Sequence, residues 1–254
     1  MKIETILTPA ELLALAQRDL RATACVVFDV LRATSTFVTS LHHGAKAVIP
    51  VGEISEALAV RKKQPDFLLG GERDGVRIRA AQTGGIQFDL GNSPCEYTPE
   101  KVRGKTIVST TTNGTRALRA CANAKIVLAS SFLNLGATAK FVRQLQPSQL
   151  LLVCAGTHEN TALEDVLAAG ALIELFAARE DARPTLSDSA QITLCAYTQA
   201  KANLPLAVSQ SQNAQRLLAI PELREDVDFC LQRDVFPLVA RMEADGILRR
   251  ADYL

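Results

Sequence analysis

The feature of this sequence that most restricts its fold is a repeated alternation: short runs of consecutive apolar residues, many β-branched, each followed by a stretch with helical periodicity. The runs are ACVVFDV (24–30), AKAVIPV (45–51), DFLLGG (66–71), KTIVSTT (105–111), KIVLASS (125–131) and QLLLVCAG (149–156). Most are apolar at successive rather than alternate positions, the pattern of strands covered on both faces. Helical patterns at 34–43, 54–64, 114–123 and 134–146 lie between them. The alternation predicts a three-layer α/β/α sandwich around a largely parallel or mixed sheet, with functional loops at the carboxyl ends of strands. The opening MKIETILTPAELLALAQRDL reads as a further strand and helix, not a signal peptide. After 154–180 the chain reads mainly as helices, with RPTL (183–186) as a break. No repeat interrupts the pattern, so residues 1–254 are expected to form a single elaborated domain with a helical C-terminal region.

Composition narrows the function. With 254 residues, 48% of them hydrophobic, the chain can bury a large core. A net charge of +1, with basic residues scattered among acids, gives no electrostatic support for binding nucleic acid or a membrane surface. Any anion it takes is expected to be small. The six cysteines are widely spaced and form no CxxC pair, which argues against a zinc site or disulfide scaffold; Cys25, Cys121, Cys154 and Cys195 sit in apolar runs typical of buried free thiols. No apolar run reaches about 18 residues. A cytoplasmic protein is the expectation.

Three strand-to-helix junctions share a style. FDVLRATSTFVTSL carries Asp29, Arg32, Thr34, Ser35 and Thr36. VSTTTNGTRAL (108–118) sets Thr112, Asn113, Gly114, Thr115 and Arg116 where a helix begins. CAGTHENTALEDVLAAG places Gly156 and Thr157 after a strand and Glu164 and Asp165 in the next helix. Helix N-termini present unpaired N–H groups and partial positive charge, and hydroxyls and arginines beside them make a phosphate site. The competing account is structural: Ser, Thr and Asn are the usual N-caps, and Thr161 with Glu164 forms a T-x-x-E capping box.

Carboxylates supply the other half of a site. Asp29, Glu72, Asp89, Glu164 and Asp165 lie at strand ends, in glycine-containing loops or in a first helical turn, where oxygen ligands for Mg²⁺ occur, and one or two would suffice. Of the three histidines, His42 and His43 read as structural and His158 as a weak acid or base candidate. GKT (104–106) lacks the upstream glycine of a P-loop, Asp29-Val30-Leu31 supplies one aspartate where a haloacid-dehalogenase-type phosphatase needs two, and no cysteine opens a C-x5-R signature. The segment 71–105, rich in Gly, Pro, Asp and Asn, is a long excursion of the kind that is more often functional than accidental.

DVLRATST, VIPVGEISEAL, LLGGER, FDLGNSPCEYTPE, GKTIVSTTTNGTRAL, CAGT and LEDVLAAG, in that order over about residues 24–170, together resemble the 2-phosphosulfolactate phosphatase family, and the tail LREDVDFCLQRDVFPLVA is similar too. The resemblance implies a Mg²⁺-dependent acid phosphatase that hydrolyses (2R)-2-phospho-3-sulfolactate to 3-sulfolactate and phosphate, a step of coenzyme M biosynthesis, on an α/β/α fold. Its blocks fall on Asp29, Arg32 and Ser35, on Glu72 and Arg73, on Asp89, Asn92 and Ser93, on Asn113 to Arg116, and on Glu164 and Asp165. Two departures bear on substrate detail: VRIRAAQTGGIQ (76–87) looks longer than the usual link, and HENTALED follows CAGT.

The expected chemistry is metal-assisted hydrolysis of a phosphate monoester on a small anionic substrate. Mg²⁺ would be held by some of Asp29, Glu72, Asp89, Glu164 and Asp165. Arg32, Arg116 and the loop Thr112–Thr115 would stabilise phosphoryl charge, with Ser35 in the same site, and Arg73, Asn92 and Ser93 would take the sulfonate and carboxylate end. The rivals are an Asp29 nucleophile, another phosphorylated hydroxy acid as substrate, and a non-catalytic sensor of a phosphorylated metabolite. A homodimer is the default assembly.

Overall fold

The computed structural model describes residues 1–15, 17–178 and 183–251. Among these residues eleven strands form one sheet: β1 (Lys2–Ile6), β2 (Thr23–Phe28), β3 (Ala47–Pro50), β4 (Leu68–Arg73), β5 (Val76–Arg77), β6 (Thr106–Thr110), β7 (Ile126–Ser130), β8 (Gln149–Cys154), β9 (Thr185–Leu186), β10 (Val239–Met242) and β11 (Leu248–Ala251). Their order across the sheet is β5-β4-β6-β3-β11-β10-β7-β2-β8-β1-β9. The helices are α1 (Ala10–Leu15), α2 (Ala33–His42), α3 (Ile54–Lys63), α4 (Pro99–Val102), α5 (Gly114–Ala120), α6 (Leu135–Leu145), α7 (Leu163–Ala177), α8 (Asp188–Ala200), α9 (Leu204–Ser209), α10 (Gln212–Leu218) and α11 (Arg224–Cys230).

The α/β/α class expected from the alternation is the class observed, and β2 shows why. Its six residues are all buried. Ala24, Val26 and Phe28 point into a core shared with α6, α7 and α8. Cys25 and Val27 point into an opposite core shared with α1, α2 and α5. A strand covered on both faces can carry no polar alternation, and each fully buried Val or Phe contributes about 1.5–3 kcal/mol. A smaller third core joins Ala57 of α3 to Leu69, Val108, Ile78 and Phe88. The long link at 76–87 is thus pinned by Ile78 at its start and by Phe88 just beyond its end, while 79–87 stays largely exposed.

The sheet consists of two parallel blocks. One is β4-β6-β3; the other is β7-β2-β8-β1-β9. Between them sits the hairpin β10–β11, antiparallel to β7 on one side and to β3 on the other. The C-terminal region is helical from Asp188 to Cys230 and then returns to the sheet. The RPTL stretch supplies β9 at the sheet edge. The cysteines are free thiols, but Cys195 of α8 is exposed rather than buried.

Three antiparallel pairings separate β7 from β3, so the two blocks run in opposite senses along the sheet. Their carboxyl ends nevertheless meet. Neighbouring strands rotate by roughly 20–25°, and the five steps from β2 to β6 accumulate to roughly 100–125°, enough to bring the opposed ends round toward one another. A common parallel edge is therefore not what gathers the loops; twist is.

Candidate active site

The first loop leaves β2 at Asp29. The Asp29 carboxylate accepts the Ala33 N–H at 3.0 Å, and its main chain is closed onto Thr34 by the hydroxyl and amide of that residue. Arg32 is buried, its Nη1 donating to Asp226 at 2.6 Å and its Nη2 to the Gly75 carbonyl. Ser35 turns its hydroxyl back to the Val30 carbonyl at 2.8 Å, so it braces the loop from behind.

The second loop, from β6 to α5, separates capping from function. Thr111 Oγ1 accepts the Thr115 N–H at 3.1 Å and Thr115 Oγ1 donates to the Thr111 carbonyl, so these two hydroxyls close the helix start and do not line the cleft. Asn113 occupies the cap position without a capping bond. Its amide instead crosses to the third loop, donating to the carbonyls of Ala155 and His158 at 2.9 and 2.8 Å and accepting the His158 N–H at 3.1 Å. Gly114 packs so closely that a Cβ there would lie 2.6 Å from Asp29 Oδ2 and 2.5 Å from Ala33 Cβ. Only glycine permits that approach. Arg116, expected as a phosphate clamp, does not line the cleft; it pairs with Glu159 at 2.7 Å on the outside.

In the third loop Asp165 ties two junctions together, accepting the Val30 N–H at 2.7 Å and the Gly156 N–H at 3.0 Å. The capping-box reading of Thr161 and Glu164 fails: the N-cap of α7 is Ala162, with no side-chain cap. Glu164 is buried, Oε1 accepts from Asn213 at 3.0 Å, and Oε2 has no partner.

A cleft open to solvent lies where the loops meet, and of the expected residues Asp29, Arg32, Glu72, Asn92, Thr112 and Asn113 line it. Glu72 at the end of β4 accepts from the amide and hydroxyl of Thr112 and from the amide of Gly75. Asn92 leaves its buried Oδ1 without a donor. Ser93 sits just beneath, donating to Asp226 at 2.6 Å. Two further expectations are corrected. Asp89 lies elsewhere, bound to Arg61 and the Leu69 amide, and Arg73 turns away to Thr110, Gly52 and its neighbour's carbonyl.

Sequence reasoning missed three residues of α10 and α11. Asn213 and Arg216, one helical turn apart, line the cleft, and Asp226 holds both Arg32 and Ser93 from below. Only the tail block LREDVDF, which contains Asp226, carried any signal.

Among the described residues the buried charged side chains are Asp29, Arg32, Glu72, Glu164, Asp165 and Asp226, and all six belong to this one place. Five carboxylates thus face one buried guanidinium. Burial, foremost, and then the fields of Glu72 and Glu164 push the Asp29 carboxyl up to about 7, against the opposing bond from Ala33. Asp165 is likewise raised, by burial first and then by Asp29 and Glu164.

Comparison with known proteins agrees with this picture. The family model described as 2-phosphosulpholactate phosphatase matches residues 10–245. A protein of Caldanaerobacter subterraneus subsp. tengcongensis named probable 2-phosphosulfolactate phosphatase is 39% identical over 234 residues, 91% of this chain and 92% of its own. Proteins of the same name from Thermotoga maritima and Carboxydothermus hydrogenoformans are 40% and 36% identical, over 84% and 94% of this chain and 86% and 92% of theirs. The matched span holds every cleft residue named above, and the chain belongs to the 2-phosphosulfolactate phosphatase family of phosphoric monoester hydrolases.

Proposed function

We propose that this chain hydrolyses 2-phospho-3-sulfolactate to 3-sulfolactate and phosphate, with Mg²⁺ in the cleft. The observation that carries the reading is the concentration of buried charge at one opening. Uncompensated buried carboxylates are costly, and so many in one place call for a cation.

The donor set fits a hard, oxygen-seeking ion. Asp29, Glu72 and Asn92 offer oxygens to the cleft, and Asn92 Oδ1 is buried without a donor. These three would hold the ion. Asp165, with both oxygens on backbone amides, fixes the loops beneath. Among the described residues no three His, Cys, Asp or Glu side chains converge into a cage; an ion here would keep waters and share substrate oxygens, as Mg²⁺ does. When bound, Mg²⁺ supplies Lewis-acid neutralisation of phosphoryl oxygens and acidifies a bound water.

Hydrolysis forms a bond from phosphorus to a water oxygen and breaks the bond to the ester oxygen, which leaves with the electron pair and takes a proton. The protein's part is electrostatic and positional. Arg32, locked by Asp226 and the Gly75 carbonyl, presents fixed positive charge to the developing phosphoryl anion without needing to reorganise. Thr112 and Asn113 line the same cleft and are held in place by Glu72 and by the third loop.

The test is phosphate release from racemic phosphosulfolactate, phospholactate and 4-nitrophenyl phosphate, each with Mg²⁺ and with chelator. Mg²⁺-dependent turnover strongest on phosphosulfolactate supports the proposal. Turnover only on the other esters moves the substrate. No release from any ester, with ligand-dependent thermal stabilisation retained, makes the chain a sensor.

A further inference from the structure

Among the described residues one cation of the cleft stands outside any ion pair. Arg216 of α10 lines it, and among the described residues it has no carboxylate partner, whereas Arg32 is paired with Asp226 and Arg116 with Glu159. Its guanidinium is held by neutral acceptors. Nη2 donates to Asn213 Oδ1 at 2.9 Å, and Nη1 lies 3.0 Å from His158 Nε2. Arginine can only donate, so that ring nitrogen is the acceptor and the ring proton sits on Nδ1. The Arg216 Nε is buried with no partner at all.

The hold on Arg216 is itself anchored. His158 adopts φ of 54°, the left-handed region that disfavours a side chain, and Asn113 grips its backbone on both sides, from the carbonyl and from the amide. Asn213 is fixed from its other end by the Leu31 carbonyl at 2.6 Å and by Glu164. The second and third loops and α10 thus spend their polar groups on setting one planar fork. Planar forks match carboxylate and sulfonate oxygens two at a time.

Position completes the argument. The buried acids Asp29 and Glu72 form the floor, while Arg216 is partly exposed and His158 exposed at the rim. The cleft is therefore acidic within, and its mouth carries the cation Arg216 together with the exposed acid Asp74, with which Arg216 forms no ion pair among the described residues. We infer that Arg216, set by His158 and Asn213, is the specificity-determining residue that binds the second, non-transferred anionic group of the substrate. This rests on the reading of the cleft as a phosphatase site. It moves the recognition of that group from Arg73 to Arg216.

The experiment compares wild type with Arg216→Met and Arg216→Lys on phosphosulfolactate and on 4-nitrophenyl phosphate, which has no second anion. Arg216→Met is expected to lower the ratio of the two kcat/KM values by about 10- to 100-fold, the worth of hydrogen bonds to a charged group, mainly through KM for phosphosulfolactate. Arg216→Lys should recover part of the ratio. Binding of 3-sulfolactate, measured by calorimetry in the presence of Mg²⁺, should weaken in parallel. An unchanged ratio, whether both activities fall together or neither falls, overturns the assignment. If wild type hydrolyses no ester, the phosphatase reading fails on its own, and the anchor then stands or falls by whether 3-sulfolactate binds wild type and is lost in Arg216→Met.

Discussion

Asp29 is a buried acid at the floor of the cleft, and its ionisation is written into the stability of the fold. Its carboxyl is raised from the ordinary 3.8 to about 7. Between those values the folded chain keeps a proton that the unfolded chain releases, so stability falls as pH rises through that window and levels off above it. The cost is about 1.4 kcal/mol for each pH unit of displacement. Thermal unfolding in chelator should therefore show a Tm that declines from mildly acidic to neutral pH. Asp29→Asn should make the decline shallower, leaving the part due to Asp165, and Mg²⁺ should reduce it in wild type. Equal slopes for wild type and variant would remove Asp29 from the account. That Asp29 would stand at the cleft was legible, because it closes a strand and precedes an arginine and three hydroxyls. Asp226 was not: its bond to Arg32 spans 194 positions, and nothing local in REDVDF distinguishes an inward aspartate from a solvated one. Arg216 was hidden in the same way, on a short helix whose sequence reads as ordinary amphipathic surface.

At the scale of elements, the site is three junctions stitched into one by side chains that a sequence reader takes for caps. Asn113 is the stitch between β6–α5 and β8–α7. Asn113→Ala removes three hydrogen bonds, which should cost roughly 1–3 kcal/mol. Amide exchange should speed up at residues 155–160 more than in β2 or β8, and kcat/KM on phosphosulfolactate should drop. Unchanged exchange there would mean the loop is held by Asp165 alone. The runs were readable to within a few residues for β2, β3, β6, β7 and β8 and for the helices after the first four, because two-sided burial forces consecutive apolar residues. The hairpin β10–β11 was not. VARM and LRRA are four residues each, and Arg241, Arg249 and Arg250 break any apolar run, so their place in the sheet comes from neighbours rather than from their own composition.

For the molecule as a whole, that hairpin is the join. It alone links the two parallel blocks through the sheet, with β3 on one flank and β7 on the other. Truncation after Leu238 would open both flanks, and unpaired edges with buried-type side chains are templates for association. The truncated chain should be insoluble or unfold without cooperativity, as judged by sedimentation and denaturant titration, whereas a soluble, cooperatively folded product would show that the loops at the cleft suffice to hold the blocks. The twist that turns opposed blocks toward one another also could not be read from residues, since it is a property of the assembled sheet.

The position of the hairpin also sets a timetable. A ribosome makes β3 and β7 early and the strands that belong between them about 110 residues after β7, roughly 5–20 s at ordinary elongation rates. For that interval the nascent chain carries two open flanks and a half-built cleft full of acids. Catalytic competence arrives last, with the closing of the sheet, and chaperone contact during synthesis is to be sought in that interval.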